Sequence, residues 1–230
     1  MISVILPLYN GERFIQGAIG SILDQSVGEF QIIAVDDGGT EPTLARVEAM
    51  EGQIKAGGHR LEVVVLKGNR GIAAARNAGA AIAEGTYLAW LDQDDLWPSD
   101  RTATLLQALE ESGATVARGR MRFVDLAPDS LRPWVRDTWF SGNHTGYVLG
   151  ALLCRREVLE RVGPLQTAFA GGFDDVDWFM RLRHDQVPLV DVDAVTVVRQ
   201  IHTSNQSGRA SQSELLAVVR AHLQRSRNPS

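Results

Sequence analysis

Leu88-Ala89-Trp90-Leu91-Asp92-Gln93-Asp94-Asp95 is an apolar run that ends in three acids within four residues. Read as a buried strand, it delivers its carboxylates together at the strand's carboxyl end. Carboxylates so crowded repel one another unless protons or a cation offset the charge. Oxygen ligands of this hardness suit Mg²⁺ or Mn²⁺, ions that commonly also hold substrate phosphates. The stretch therefore points to a metal-bound, phosphate-bearing ligand. The plainer alternative is a charged helix cap ahead of Trp97-Pro98, a role that suits Asp95.

The chain before this run gives it a setting. Apolar runs at 3–8, 30–35, 61–66 and 86–91 alternate with helical spacing at 12–25, 43–55 and 72–83. Phe14, Ile15, Ala18, Ile19, Ile22 and Leu23 make one stripe of the first helix. Gly57-Gly58 stops the second, and Gly85 follows the third. Strands alternating with helices predict an α/β fold with a parallel sheet flanked by helices. Ligands of such sheets bind outside the carboxyl ends of the strands. Three polar clusters fall at those ends: Tyr9-Asn10-Gly11, Asp36-Asp37-Gly38 and Asp92 to Asp95. Beyond residue 95 the pattern is less regular. It predicts helices at 98–112, 158–162, 174–184 and 211–225, and strands at 115–125, 147–153 and 189–198.

Composition narrows the function classes. The 230 residues are 44% hydrophobic and 22% charged, so a sizeable core can be buried. A net charge of -5 gives no footing for nucleic acid. The single cysteine, Cys154, excludes an internal disulfide and fits a reducing compartment. Its neighbours Ala151-Leu152-Leu153 make it a buried thiol. No basic segment precedes the apolar start, and no run reaches the roughly 18 apolar residues of a membrane span. The expectation is a cytoplasmic protein, with peripheral attachment at the inner membrane face left open. Arg209, Arg220, Arg225 and Arg227 near the end read first as a solvated helix face. A homodimer contact and an anionic membrane surface are the lesser readings.

The motifs together resemble the family 2 glycosyltransferases, whose fold is called GT-A. Val4-Ile5-Leu6-Pro7-Leu8-Tyr9-Asn10 looks like that family's first strand. Val35-Asp36-Asp37-Gly38-Gly39-Thr40 is similar to its second-strand acidic turn. The segment from Asn69-Arg70-Gly71 to Arg76-Asn77-Ala78-Gly79 resembles its glycine and Arg-Asn segment. Leu91 to Asp95 matches its DxD motif, and Gly172 to Leu182 resembles its late acidic helix start. Arg199 and His202 are similar to an Arg/His pair after the last core strand. The motifs run in the family's order from Ser3 to about His202. Asp174 departs from the pattern, standing where Glu is common. The Gln-x-x-Arg-Trp signature of processive synthases is absent, which argues against a polymer-extruding enzyme.

The resemblance implies one GT-A domain over 1–230. It has a nucleotide-binding half at 1–95, an acceptor half at 96–205 and a helical tail at 206–230. It implies an inverting transfer of a sugar from a nucleoside diphosphate donor, UDP by family habit. The acceptor would be a hydroxyl on a glycan, a lipid-linked molecule or another compound, with Mn²⁺ or Mg²⁺ as cofactor. Pro7, Tyr9 and Asn10 would line the base pocket, and Asp36 and Asp37 would contact uracil and ribose. Arg70, Arg76, Gln93 and Arg199 would serve the donor. Arg76 and Asn77 are adjacent, so one would face the nucleotide while the other braces the motif. Asp94 and His202 would bind the metal, and Asp92 the ribose or the metal through water. Asp175 would be the general base, with Asp174 the runner-up. Acids crowded at a helix start raise one another's pKa, which suits a base. Trp178 could stack on an acceptor sugar or fill the core, and His144 could contact the acceptor. Two rivals stay in view: a sugar-1-phosphate nucleotidyltransferase, disfavoured by the glycine-poor Asn10-Gly11-Glu12-Arg13, and a nucleotide-sugar-binding protein without catalysis.

Overall fold

Every residue of β1 (Ile2–Leu8) is buried, as a strand covered on both faces requires. The computed structural model describes residues 1–130, 135–169, 173–205 and 212–227; Gly172 and Arg209 lie outside them. After β1 the chain alternates through α1 (Glu12–Leu23), β2 (Phe30–Asp36), α2 (Thr43–Ala49), α3 (Glu51–Ala56), β3 (Arg60–Val65), α4 (Ile72–Ala81) and β4 (Tyr87–Trp90). It continues through β5 (Asp95–Leu96), α5 (Arg101–Ser112), β6 (Val116–Asp125), β7 (Leu152–Arg155), α6 (Glu157–Val162), α7 (Asp174–His184), β8 (Leu189–Ile201) and α8 (Gln212–Arg227).

These strands form one eight-stranded sheet in the order β3-β2-β1-β4-β7-β6-β8-β5. β1, β2, β3 and β4 pair in parallel, and so do β6 and β8. β7 and β5 run antiparallel to their neighbours. Side chains of β1 alternate between two cores. Val4, Leu6 and Leu8 pack with Ile15 and Ile19 of α1 on one face. Ile5 packs with Ala75 of α4, Trp90 and Trp178 on the other.

Pro7 sits in the middle strand of this half, where a missing N–H normally breaks a ladder. Ile5 accepts from Leu91 N at 3.1 Å, so odd-numbered residues of β1 face β4. The register with β4 ends at Ile5↔Trp90, while that with β2 runs on to Leu8↔Asp36. Pro7 thus faces a gap where β4 has already turned away. The same divergence opens a crevice at the carboxyl ends of β1 and β4.

Several expected elements differ. The helix at 43–55 is two helices that break at Met50, just before the weak helix former Gly52. The apolar run at 147–153 is not one strand: a 3-10 turn, Leu149–Ala151, precedes β7. An apolar run signals burial but not the form of the backbone. β5 carried no periodic signal, being two residues long. Among the described residues, no helix is long and apolar enough to cross a membrane.

Candidate active site

The crevice is a cavity of about 510 Å³. Its wall takes Pro7, Tyr9 and Asn10 from the end of β1, Asp37 from the end of β2, and Arg76 from α4. Asp92, Gln93 and Asp94 follow β4, Asp174 and Asp175 open α7, and Arg199 and His202 close β8. Twelve of the fourteen residues expected at the site therefore meet at one opening. Asp36 and Arg70 do not line it. Successive residues of a strand point to opposite sides, and the Asp36 carboxylate turns back to accept from Gly38 N at 3.1 Å.

Much of the wall holds its own loops. Gln93 donates from Nε2 to Tyr9 O at 2.7 Å, and its Oε1 accepts from Tyr9 N at 2.9 Å. The side-chain amide takes the place of the strand that Tyr9, another odd-numbered residue, has lost. Asp37 accepts from Arg70 N at 2.7 Å and Gly71 N at 2.8 Å, fixing the turn into α4. Gly38 has φ 75°, and an added Cβ would stand 2.9 Å from the Gly68 backbone, so the two turns meet only through glycine. Asn10 accepts from Thr40 N at 2.6 Å and Glu41 N at 3.1 Å.

Arg76 is the electrostatic centre. It is 3% exposed, with Nη2 on Asp92 at 2.6 Å and Nη1 on Asp174 at 2.9 Å. Burial opposes its charge, but Asp92, Asp174 and Asp175 more than offset this and raise its pKa above the ordinary arginine value. Asp92 answers in kind. Burial opposes its ionisation, yet Arg76 and Arg199 hold its pKa below the usual carboxylate value. Asn77 points away, exchanging hydrogen bonds with the Leu165 backbone at 2.8 and 2.9 Å. The adjacent Arg and Asn thus divide into one cavity residue and one brace, as their spacing on a helix required.

Asp174 and Asp175 differ sharply. Asp174 is fully buried and committed to Arg76, and its Oδ1 has no hydrogen-bond partner among the described residues. Asp175 is half-buried, with one oxygen accepting from Val176 N at 2.7 Å. Burial, and then the charge of Asp174, pushes its carboxyl up to about 7 against the pull of Arg76 and Arg199. A carboxyl at that value can take a proton near neutral pH.

Asp94 stands opposite His202 and Asn205, its Oδ2 lying 3.1 Å from His202 Nε2 and 3.1 Å from Asn205 Nδ2. His202 is stacked on Phe14 with centroids 4.2 Å apart, and its Nδ1 lies 2.8 Å from Ser204 Oγ. Among the described residues, no three His, Cys, Asp or Glu side chains are grouped around one point. The Asp94 carboxylate fits Mg²⁺ or Mn²⁺, which keep several positions for water and substrate phosphate, and the His202 imidazole, a softer donor, suits Mn²⁺ better than Mg²⁺.

Two expectations, for Asp95 and His144, need correction, and the two readings of Trp178 are resolved in favour of the core. Asp95 is not a helix cap. It is 2% exposed, lies in β5 opposite Arg199, and sits 3.3 Å from that guanidinium. Burial pushes its carboxyl well up, with Arg199 opposing. Trp178 does not reach the cavity: it is fully buried beside Trp90, with its Nε1 donating to Gly163 O at 3.1 Å. His144 lies 3.0 Å from Trp139 O and packs on Phe123, away from the cavity wall. Periodicity missed Phe14, which read as core stripe, and Tyr147, which read as strand; both line the cavity.

Residues 3–166 match the family model described as Glycosyl transferase family 2. A putative teichuronic acid biosynthesis glycosyltransferase, TuaG of Bacillus subtilis, is 37% identical over 114 residues, 48% of this chain and 42% of its own. The structure of S. aureus TarS in complex with UDP-GlcNAc superposes with a TM-score of 0.76 at 20% identity, covering 99% of this chain and 66% of that one. The mannosyltransferase PcManGT from Pyrobaculum calidifontis, in complex with GDP-Man and Mn²⁺, gives 0.70 at 20% identity, covering 100% and 64%. At such identities the likeness speaks for the fold alone. The chain spans about half the length of the curated relatives it matches.

Proposed function

The chain belongs to glycosyltransferase family 2, and from that membership we propose that it moves a sugar from a UDP-linked donor to an acceptor hydroxyl, inverting the anomeric carbon. The observation that carries this reading is one cavity holding three kinds of group. It has the Asp94–His202 pair, the cations Arg76 and Arg199, and a carboxyl raised to about 7 at Asp175. TarS supports UDP as the nucleotide, and PcManGT supports a divalent ion. A single domain with a nucleotide-binding half at 1–95 and an acceptor half at 96–205 belongs to the same proposal.

In the proposed reaction the acceptor oxygen attacks the anomeric carbon while the bond from that carbon to the diphosphate breaks. The electron pair leaves on the diphosphate, and the acceptor's proton passes to Asp175. Asp94 and His202 would hold Mn²⁺ or Mg²⁺, which supplies Lewis-acid stabilisation of the departing charge. Arg199 adds a fixed positive charge on the same wall. Arg76 and Asp174 orient Asp92 and the start of α7.

The test is UDP release from UDP-sugars, with and without Mn²⁺. A binding protein without catalysis releases none. Asp94→Ala is expected to abolish the gain in UDP affinity that Mn²⁺ gives the wild type, measured by calorimetry. An undiminished Mn²⁺ effect in that variant removes Asp94 from the metal site. The Gln93 clamp makes a second expectation. An added Cβ at Gly11 would lie 2.1 Å from Gln93 Cδ, so Gly11→Ala must displace the amide from Tyr9. Gly11→Ala and Gln93→Ala should weaken UDP binding alike, roughly three- to tenfold, and the double variant should be no worse than either single. Additive losses would mean that the two residues act separately.

A further inference from the structure

Among the described residues, Tyr147 is the one aromatic side chain in the group of exposed large apolar residues, at 46%. It stands in the cavity wall with Asp175 and Val176. The ring is held in place. Its centroid lies 5.3 Å from that of Phe179, and the Arg118 guanidinium covers both rings at 5.8 and 5.4 Å. Arg118 is itself fixed by Asp191 through two bonds of 2.7 and 2.9 Å. Phe179 follows Asp175 by four residues on α7, which puts them on one helix face a single turn apart. An aromatic platform and the raised carboxyl therefore share one side of the cavity.

A braced ring left open to a polar cavity buries its apolar face only when a ligand covers it. The surroundings select that ligand. Arg118 is already neutralised by Asp191, so the platform offers no uncommitted cation to a phosphate or carboxylate. The acidic first turn of α7 opposes an anion further. A neutral ring with C–H groups on its face and hydroxyls at its edge meets both conditions. We propose that Tyr147 forms an acceptor subsite that takes a pyranose ring, so that the attacking hydroxyl belongs to a sugar. This rests on the transfer reading above and names its acceptor class. The apolar run at 147–153 concealed the platform because its first residue is not in a strand at all.

Saturation-transfer NMR tests it, using the full chain loaded with UDP and the methyl pyranosides of glucose, galactose and N-acetylglucosamine as probes. Wild type and Tyr147→Phe are expected to saturate ring protons of at least one probe. Tyr147→Ala should lose that signal by roughly fivefold or more. UDP titrations on the same samples should agree within twofold, which shows the donor side intact. If no probe is saturated by the wild type, or the Ala variant keeps the signal, the sugar platform is wrong while the donor reading stands. If the Ala variant loses UDP affinity, Tyr147 serves the donor and the proposal also fails. A wild type that does not bind UDP overturns the transfer reading, and the subsite with it.

Discussion

Asp175→Asn is expected to lower kcat for sugar transfer by about 10²–10⁴-fold, the usual contribution of a positioned general base, while leaving UDP affinity within a few fold. Asparagine keeps the shape and the contact with Val176 N but cannot accept the proton. The pH profile gives an independent reading. With the carboxyl at about 7 in the free enzyme, kcat/KM should climb with unit slope up to roughly pH 7 and then level off. Stability has the opposite sign. The folded value lies above the ordinary carboxyl value of about 3.9, so folding favours the protonated form. That advantage is complete below pH about 4 and is lost as pH rises through about 7. The Asn variant, which cannot ionise, should therefore melt no lower than wild type at pH 8. Transfer that survives the substitution within threefold would remove Asp175 from the base role. A fall in Tm at pH 8 would mean that the charge was not strained.

The second large effect lies at Arg76. Its side chain is 4% exposed and bridges Asp92 to an Asp174 that is 0% exposed. Removing one partner of a buried ionic cluster leaves an uncompensated charge and typically costs about 3–5 kcal/mol. Arg76→Met should therefore lower Tm by roughly 10 °C, at about 2–4 °C per kcal/mol for a chain of this size. Adding Asp174→Asn should recover a large part of the loss, because the stranded carboxylate is then neutral. Arg76→Lys should not substitute, since one ammonium cannot reproduce a planar fork that serves two acids at once. Thermal melts of the three variants decide the matter. A fall of under 2 °C in Arg76→Met, or no recovery in the double variant, would show that the triad is not holding the base of the cavity together.

The alternating half of the chain was readable because local pattern and global fold agree there. Apolar runs of strand length separated by helical spacing produced the order of β1 to β4, and the rule that ligands meet the carboxyl ends of strands gathered most of the site. Asp36 and Asp37 show the limit of that rule. Both stand at the right strand end, but the pleat sends one to the cavity wall and the other to its own turn. Asp95 shows another limit. Its sequence neighbours suit a cap, yet two residues suffice for a strand when a partner as long as β8 is present to pair with.

What residue order determined by itself is most of the polar groups at this opening, because strand ends and turn acids are local facts with a known period. Which group faces the cavity and which is held by a neighbour was decided by contacts between residues far apart in the chain. Arg76 selects Asp174 as its anchor across 98 residues, which leaves the neighbouring Asp175 to face the cavity. Gln93 restores to Tyr9, 84 residues away, the partner that strand divergence removed. Trp178, the aromatic that sequence singled out, is buried, while Tyr147, which read as strand, is 46% exposed. Periodicity states that a side chain is apolar, and only packing determines whether another side chain or a ligand covers it.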